Sequence, residues 1–342
     1  MHYLNYRRMD QIKVGDRILS DDGYHGTVMY IGDVDGFQGM WYGLCWDDPT
    51  RGKHRGTIKD RTYFQCPYHN SSASFMKIDK LTRGIYFMDA IINKYTEKLD
   101  NYVQVEMIGM EKIRERQRHI STLENINATS LKIANINDDP IIFTYLSENL
   151  KELNLTNNLL SNWNDIIKLL KQLRNLENLT LSENRLEFNH KDIVESVSVD
   201  NKFKTITTLL INRTNINWST AVSLVSLLFP SLTTLGLHSN YITDLTYNNN
   251  NNNNSSTDEN NNNNNNDLQN IFKNLLNLDL SNNLLSNTND LIELSKIESL
   301  IQLNLNDNKF KSIEIPEELT SVSYDQCYAK DIVYLREENE DH

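Results

Sequence analysis

Leucines recur along the second half of the chain with a fixed inner spacing. The pattern L-x-x-L-x-L-x-x-N-x-L reads LKELNLTNNLL at 150–160, LENLTLSENRL at 176–186 and ITTLLINRTNI at 206–216. It continues as LTTLGLHSNYI at 232–242, LLNLDLSNNLL at 275–285 and LIQLNLNDNKF at 300–310, and a weaker copy, LKIANI at 131–136, comes first. The central leucines are Leu153, Leu179, Leu209, Leu235, Leu278 and Leu303, at steps of 26, 30, 26, 43 and 25 residues. Such a period predicts stacked units, each burying its apolar face only against its neighbours. The L-x-L core of each copy predicts a short strand. The Asn that follows (Asn158, Asn184, Asn240, Asn283, Asn308) is placed to satisfy backbone groups in the turn between units; Thr214 stands there in the third copy. WNDIIKLLKQL at 163–173 and AVSLVSLLF at 221–229 have the spacing of outer helices. The long step holds NNNNNNNSSTDENNNNNNN at 248–266. That tract has nothing apolar to bury and is expected to be a disordered loop.

The pattern before residue 84 differs. Short apolar runs, TVMYI at 27–31, WYGLCW at 41–46 and TYFQC at 62–66, are bounded by Gly, Asp or Pro, and most of the chain's 12 glycines fall among them. Close-spaced runs with turn residues between them predict a small all-β, barrel-like domain. A helix there would lose about 1 kcal/mol at each interior glycine. Between the two patterns, IYFMDAIINKYTEKL at 85–99 has helical spacing and MEKIRERQRH at 110–119 is charged. The expected division is a β domain over 1–84, a helical and charged linker over 85–119, and a repeat domain over 120–342 with the insert and a C-terminal cap.

Charge sharpens this division. The 342 residues carry a net charge of -12, yet residues 1–83 hold 12 basic and 10 acidic residues. The remainder holds 22 of the 34 basic and 36 of the 46 acidic residues. Within 50–83 the balance is 8 basic to 2 acidic, concentrated in RGKHRG at 51–56. The acidic total argues against a nucleic-acid binder, while the basic stretch can attract an acidic partner. No run reaches the roughly 18 apolar residues of a membrane helix, and the N-terminus lacks the apolar core of a signal peptide. Cys45, Cys66 and Cys327 have no CxxC spacing and are odd in number. They predict neither a zinc site nor a disulfide framework, as in a reducing compartment. Neither a phosphate loop, an HExxH motif nor a Ser or Cys nucleophile motif is present, so no enzyme, metal or cofactor is expected. Asp47 and Asp48 sit in the WDDP turn and read as structural.

Two resemblances follow from these residues. Val14-Gly15, GTVMYIG (26–32), Gly39-Met-Trp-Tyr-Gly43, Trp46-Asp-Asp-Pro49, GKHRG (52–56), Tyr63-Phe-Gln-Cys66 and Ser74-Phe75 together resemble a CAP-Gly domain. The repeats resemble the leucine-rich repeat family. The fold class is thus multidomain, a small all-β CAP-Gly barrel followed by an α/β leucine-rich repeat solenoid. The CAP-Gly resemblance implies a grip on the acidic C-terminal tails of α-tubulin and related proteins. Such a tail needs backbone N–H groups at close range, a cation and an apolar slot. Gly52, Lys53, His54, Arg55 and Gly56 supply the loop; Phe37, Trp41, Phe64 and Phe75 are the slot candidates. Trp46 and Tyr63 read as core, Phe64 and Phe75 as either core or contact, and His25 and His69 as structural. Arg55 stands where the family carries an acidic residue, Asp60 where it carries Gly, and Ala73-Ser74 where it has a Gly near Phe75. On the repeats, Glu152, Asn154, Asn178, Thr180, Thr208, His238, Asp279 and Asn304 are expected on a polar concave face suited to a protein surface.

The order of CAP-Gly domain, charged bridge and repeats, with FMDAIINKY and VEMIGMEKIRERQRHISTLENINATSLKIANI between them, resembles a family of tubulin-folding cofactors. That resemblance implies a non-enzymatic, cytoplasmic, cytoskeleton-associated protein. Its implied partners are α-tubulin, other tubulin-folding cofactors and microtubules, with neither nucleic acid nor membrane, and its implied role is assembly or dissociation of the α/β-tubulin heterodimer. The alternative is an adaptor that links microtubules to another protein through the repeats. Members of that family usually end in a ubiquitin-like domain; this chain stops at His342 after REENEDH and is expected to be a short or truncated member.

Overall fold

The computed structural model describes residues 11–67, 72–102, 120–136, 146, 148–197, 202–247 and 267–310. The Asn-rich insert, the charged stretch before Ile120, His69, Cys327 and the cap expected after residue 310 lie outside the described residues. The chain divides into two compact units. The first comprises Met1–Leu150, Asn154–Leu173 and Asn184–Glu187; the second comprises Lys151–Leu153, Arg174–Glu183 and Phe188–His342.

In the first unit, β1 (Arg17–Ser20), β2 (His25–Val34), β3 (Phe37–Trp46), β6 (Ala73–Met76) and β7 (Leu81–Thr82) form one sheet in the order β6-β3-β2-β1-β7. The pairs are antiparallel. The short strands β4 (Thr57–Ile58) and β5 (Arg61–Thr62) form a separate hairpin. Alternation along the strands divides their side chains between two faces. Ile18, Val28, Leu44 and Trp46 pack on one with Ile12 and Leu81. Cys45, Phe64, Cys66 and Ala73 pack on the other, with Tyr30, Tyr63 and Phe75 at its rim. Buried Arg17 pairs with Asp47 through both guanidinium nitrogens and donates to Thr27 Oγ1 at 2.9 Å. Asp47 is therefore committed to the fold.

Two sequence expectations change here. TYFQC forms no strand beyond Arg61–Thr62. Instead Tyr63 N donates to Gly56 O (3.0 Å) and Cys66 N to Arg55 O (3.3 Å), so the segment is held against the basic loop rather than in a ladder. Cys45 and Cys66, expected to be unpaired, form a disulfide with Cα atoms 5.5 Å apart, well within the reach of such a bond. Their separation of 21 residues gave no hint, because only the return of the chain under β3 brings them together.

β8 (Ile85–Tyr86) leads into α1 (Phe87–Tyr102). β9 (Asn125–Asn127) and β10 (Ile133–Asn135) follow, and β10 pairs in parallel with β8. Lys94 and Tyr95 of α1 bond the backbone of Asn127. The weak first copy is thereby re-framed. Its strand is β9, so the unit begins at Leu123 rather than Leu131, and Ala128 N donates to Asn154 O at 2.7 Å. Ile126 and Ala128 replace the leucines and Leu131 replaces the Asn, which hid the register.

β11 (Glu152–Asn154) and α2 (Trp163–Gln172) come next, followed by β12 (Asn178–Thr180), α3 (His190–Ser196), β13 (Thr208–Leu210) and α4 (Trp218–Leu228). The series ends with β14 (Thr234–Gly236), α5 (Asp267–Ile271), β15 (Asn277–Asp279), α6 (Asn289–Ser295) and β16 (Gln302–Asn304). In the second unit β12 to β16 pair in parallel and in chain order. Leu179, Leu209, Leu235, Leu278 and Leu303 lie directly side by side, including across the 43-residue step. All are buried. Asn162, Asn189 and Asn217 cap α2, α3 and α4 by accepting first-turn N–H groups.

The buried asparagines join neighbouring repeats. Asn158 Nδ2 donates to Ala128 O and Leu155 O, both at 2.9 Å, and Asn158 N donates to Asn184 Oδ1. Asn240 Nδ2 reaches Ile211 O (2.9 Å), and Asn283 Oδ1 accepts from Asn240 N (2.8 Å). Thr214 Oγ1 donates to Ile211 O of its own repeat at 2.9 Å, and Thr214 N donates to Asn240 Oδ1 of the next at 2.8 Å.

Candidate functional site

The basic loop is fastened at its base. Lys53 N and His54 N donate to Ala73 O (2.8 and 3.3 Å), and Ala73 N donates to His54 O (2.9 Å), so the loop pairs with β6. Gly56 has φ +104, and a side chain there would start 2.1 Å from Phe64 O; only glycine fits. Gly43 makes similar room, since a Cβ there would lie 2.3 Å from the Phe64 ring.

Around this base the rings form two groups. Phe75 is ringed by His54 (5.5 Å), Tyr63 (5.4 Å), Phe64 (5.5 Å) and Tyr30 (6.0 Å). Phe64 is buried and Phe75 half-buried, so Phe64 serves as the floor and Phe75 as the accessible ring. Phe37 and Trp41 form an edge-to-face pair at 5.6 Å, with Phe37 47% exposed. Trp41 is two positions from Gly43 on β3, and Gly43 is the register partner of Phe75, so both groups lie along one sheet face. Trp46 is core, its Nε1 donating to Ser74 Oγ at 3.0 Å. Tyr63 is half-buried, and its hydroxyl accepts from Asp35 N (2.9 Å), which pins the turn before Phe37.

The cations divide by role. Arg51 is engaged with Asp22 (2.5 Å) and stacks over Tyr24 and Trp46 at 4.9 and 4.7 Å. Lys53 and Arg55 are exposed and make no ion pair among the described residues. His54 Nδ1 accepts from Gly56 N at 3.0 Å, which fixes a neutral imidazole with its proton on Nε2. Burial, and then the neighbouring Lys53 charge, holds the His54 pKa below that of a free imidazole.

Sequence reasoning missed Lys77. Its ammonium lies 4.1 Å from the Trp41 ring centre and donates to Gln38 O (2.6 Å) and Met40 O (3.2 Å). The available signal was its place two residues after Phe75, on the same face of an extended segment. Trp41 Nε1 is buried and has no hydrogen-bond partner among the described residues.

On the repeats, Glu152, Asn154, Asn178, Thr180, Thr208, Asp279 and Asn304 lie on strands and His238 just after β14. In the second unit these positions are cross-linked. Asn178 Nδ2 donates to Glu152 Oε1 (3.3 Å), His238 Nδ1 bonds Ser281 Oγ (2.9 Å), and Ser281 Oγ donates to Asp279 Oδ1 (2.6 Å). Leu210 and Gly236 add an apolar spot to this face that the polar pattern hid. A Cβ on Gly236 would meet Leu210 at 2.8 Å. Among the described residues, no cluster of His, Cys, Asp and Glu can hold a metal and no helix is long and apolar enough to cross a membrane.

Residues 14–81 match the CAP-Gly domain family. Tubulin-specific chaperone E of Dictyostelium discoideum is 42% identical over 329 residues, 88% of this chain and 62% of that protein. The human protein of the same name is 29% identical over 88% of this chain and 54% of its own length. The chain thus spans between half and two thirds of the length of these two relatives. Among solved structures, the Bik1 CAP-Gly domain with an ETF peptide from Bim1 is 31% identical over 20% of this chain and 78% of that one, with a TM-score of 0.18.

Proposed function

The chain is a relative of tubulin-specific chaperone E along 88% of its own length, and from that premise we propose that it binds α-tubulin as a tubulin-folding cofactor. The first domain takes the acidic C-terminal tail and the repeats take the body of the subunit. One observation carries this reading: two exposed cations, Lys53 and Arg55, on a loop bonded to β6 beside the Phe75 ring cluster. An acidic, aromatic-ended chain terminus presents the complementary groups: carboxylates for the cations, a ring for the slot, and backbone oxygens for N–H groups. The Lys77 ammonium beside the Trp41 ring offers a further donor for it. The concave face, polar with a small apolar spot at Leu210 and Gly236, suits a folded protein surface rather than a small ligand.

The test is capture of purified soluble tubulin by the full chain, with and without the last three residues of the α subunit. Strong binding that falls sharply on truncation is expected. Equal capture of both forms would remove the tail from the reading. Sedimentation with intact microtubules, without depletion of polymer, would favour an adaptor instead.

A further inference from the structure

The Cys45–Cys66 disulfide lies in the buried group beneath the basic loop. Cys45 belongs to β3, the rigid centre of the sheet. Cys66 belongs to the segment that is held by backbone bonds to the loop, at Gly56 and Arg55, in place of a strand ladder. Phe64, the floor of the ring cluster, is two residues before Cys66 and packs in the same buried group as both sulfurs. The covalent bond therefore joins the sheet to the one segment that carries Phe64 and supports Arg55. Two free thiols cannot approach as closely as two bonded sulfurs. Opening the bond must move Cys66 away from Cys45, and the two backbone bonds transmit that movement to the loop.

We propose that Cys45 and Cys66 form a thiol switch that sets the rigidity of the basic loop, and with it the affinity for an acidic chain end. The second half rests on the tail-binding reading above. Oxidation needs a low-molecular-weight disulfide such as oxidised glutathione. One protein thiolate attacks a sulfur of that disulfide and expels one small thiolate; the other protein thiolate then attacks the mixed disulfide and expels the second. The protein loses two protons and two electrons in all, and the reagent leaves as two thiols. The oxidised state is the one with the loop fastened, so it binds more tightly by preorganisation, on the order of fivefold.

The full chain is equilibrated with oxidised or reduced glutathione and measured in three ways. Peptide mapping reports the Cys45–Cys66 link. The rate of native trypsin cleavage after Lys53 and Arg55 reports loop rigidity without any ligand. Binding of an acidic peptide ending in a free carboxylate reports function. The proposal expects the link in the oxidised chain, slower cleavage, about fivefold tighter binding, and loss of both differences in Cys66→Ser and Cys45→Ala. Failure to form the link at any glutathione ratio overturns it. So does a link with unchanged cleavage and binding, or redox sensitivity that survives in both variants. A cleavage difference without peptide binding in either state would support the switch and sink the tail reading, so the two failures are distinguishable.

Discussion

Lys53 and Arg51 are two residues apart and equally charged, yet their surroundings differ. Arg51 is held by Asp22 and two rings, whereas Lys53 points into solvent from a fixed backbone. Lys53→Ala should weaken binding of an acidic peptide about threefold, the scale of an exposed charge pair. High salt should erase most of the difference, since the screening length falls from about 10 Å at 0.1 M to about 3 Å at 1 M. Arg51→Ala should lower the melting temperature and leave affinity near wild type; the reverse pattern would show the assignment to be inverted. His54 gives a second prediction. With its folded pKa lowered, its neutral form supports the fold fully above the ordinary imidazole value near 6.5, and that support is lost as the pH falls from there through the lower folded pKa. An NMR titration should place the His54 midpoint below 6.5 in the free protein, and an acidic peptide should raise it.

At the scale of elements, the asparagine ladder does what the repeat pattern required of it. Asn240 bonds one unit behind and one ahead. Asn240→Ala would strand the buried Thr214 N–H, at about 1–3 kcal/mol, while Ile211 O keeps its bond from Thr214 Oγ1; urea unfolding should show the loss. Near the start of α6, Asp290 is 3% exposed and accepts from Leu245 N at 3.1 Å. Burial raises its pKa above the ordinary carboxylate range; the charges of Asp244 and Glu293 add to this, while the Leu245 bond opposes it. A raised acid favours the fold while protonated, and that contribution is lost as pH rises through the folded pKa. Asp290→Asn keeps the acceptor, so it should raise the melting temperature at pH 8 and change little at pH 4. An equal shift at both would exclude the ionisation argument.

These elements also mark how far the sequence could be read. Leucine positions were legible because period alone places them, and their side-by-side register follows. The basic loop was legible because glycines and cations cluster in sequence. Lys77, the disulfide and the Leu123 frame were not, since each depends on which segments fold back to meet. The segment 63–66 read as a strand from its aromatics, but its hydrogen bonds go to the loop.

The first unit holds more than the β domain. Gly84 sits where a Cβ would fall 2.1 Å from the Ala134 Cβ, and Ile85 N donates to Lys132 O at 2.9 Å. Arg185 Nε also lies 3.8 Å from Asp47. Gly84→Val should separate β8 from β10, at about 1–3 kcal/mol for an overpacked contact. Hydrogen exchange should then lose protection at 85–86 and 133–135 and keep it in β12 to β16; unchanged protection at the first two would show the contact to be dispensable. In the second unit, Leu235 and Leu278 pair as closely as any other rungs although 43 residues separate them. Deleting 248–266 should therefore leave the melting temperature nearly unmoved. The same geometry makes this position a natural splice port. It falls in sequence between two rungs that pair without it, so a fluorescent reporter can be grafted there and carried as a label without parting β14 from β15.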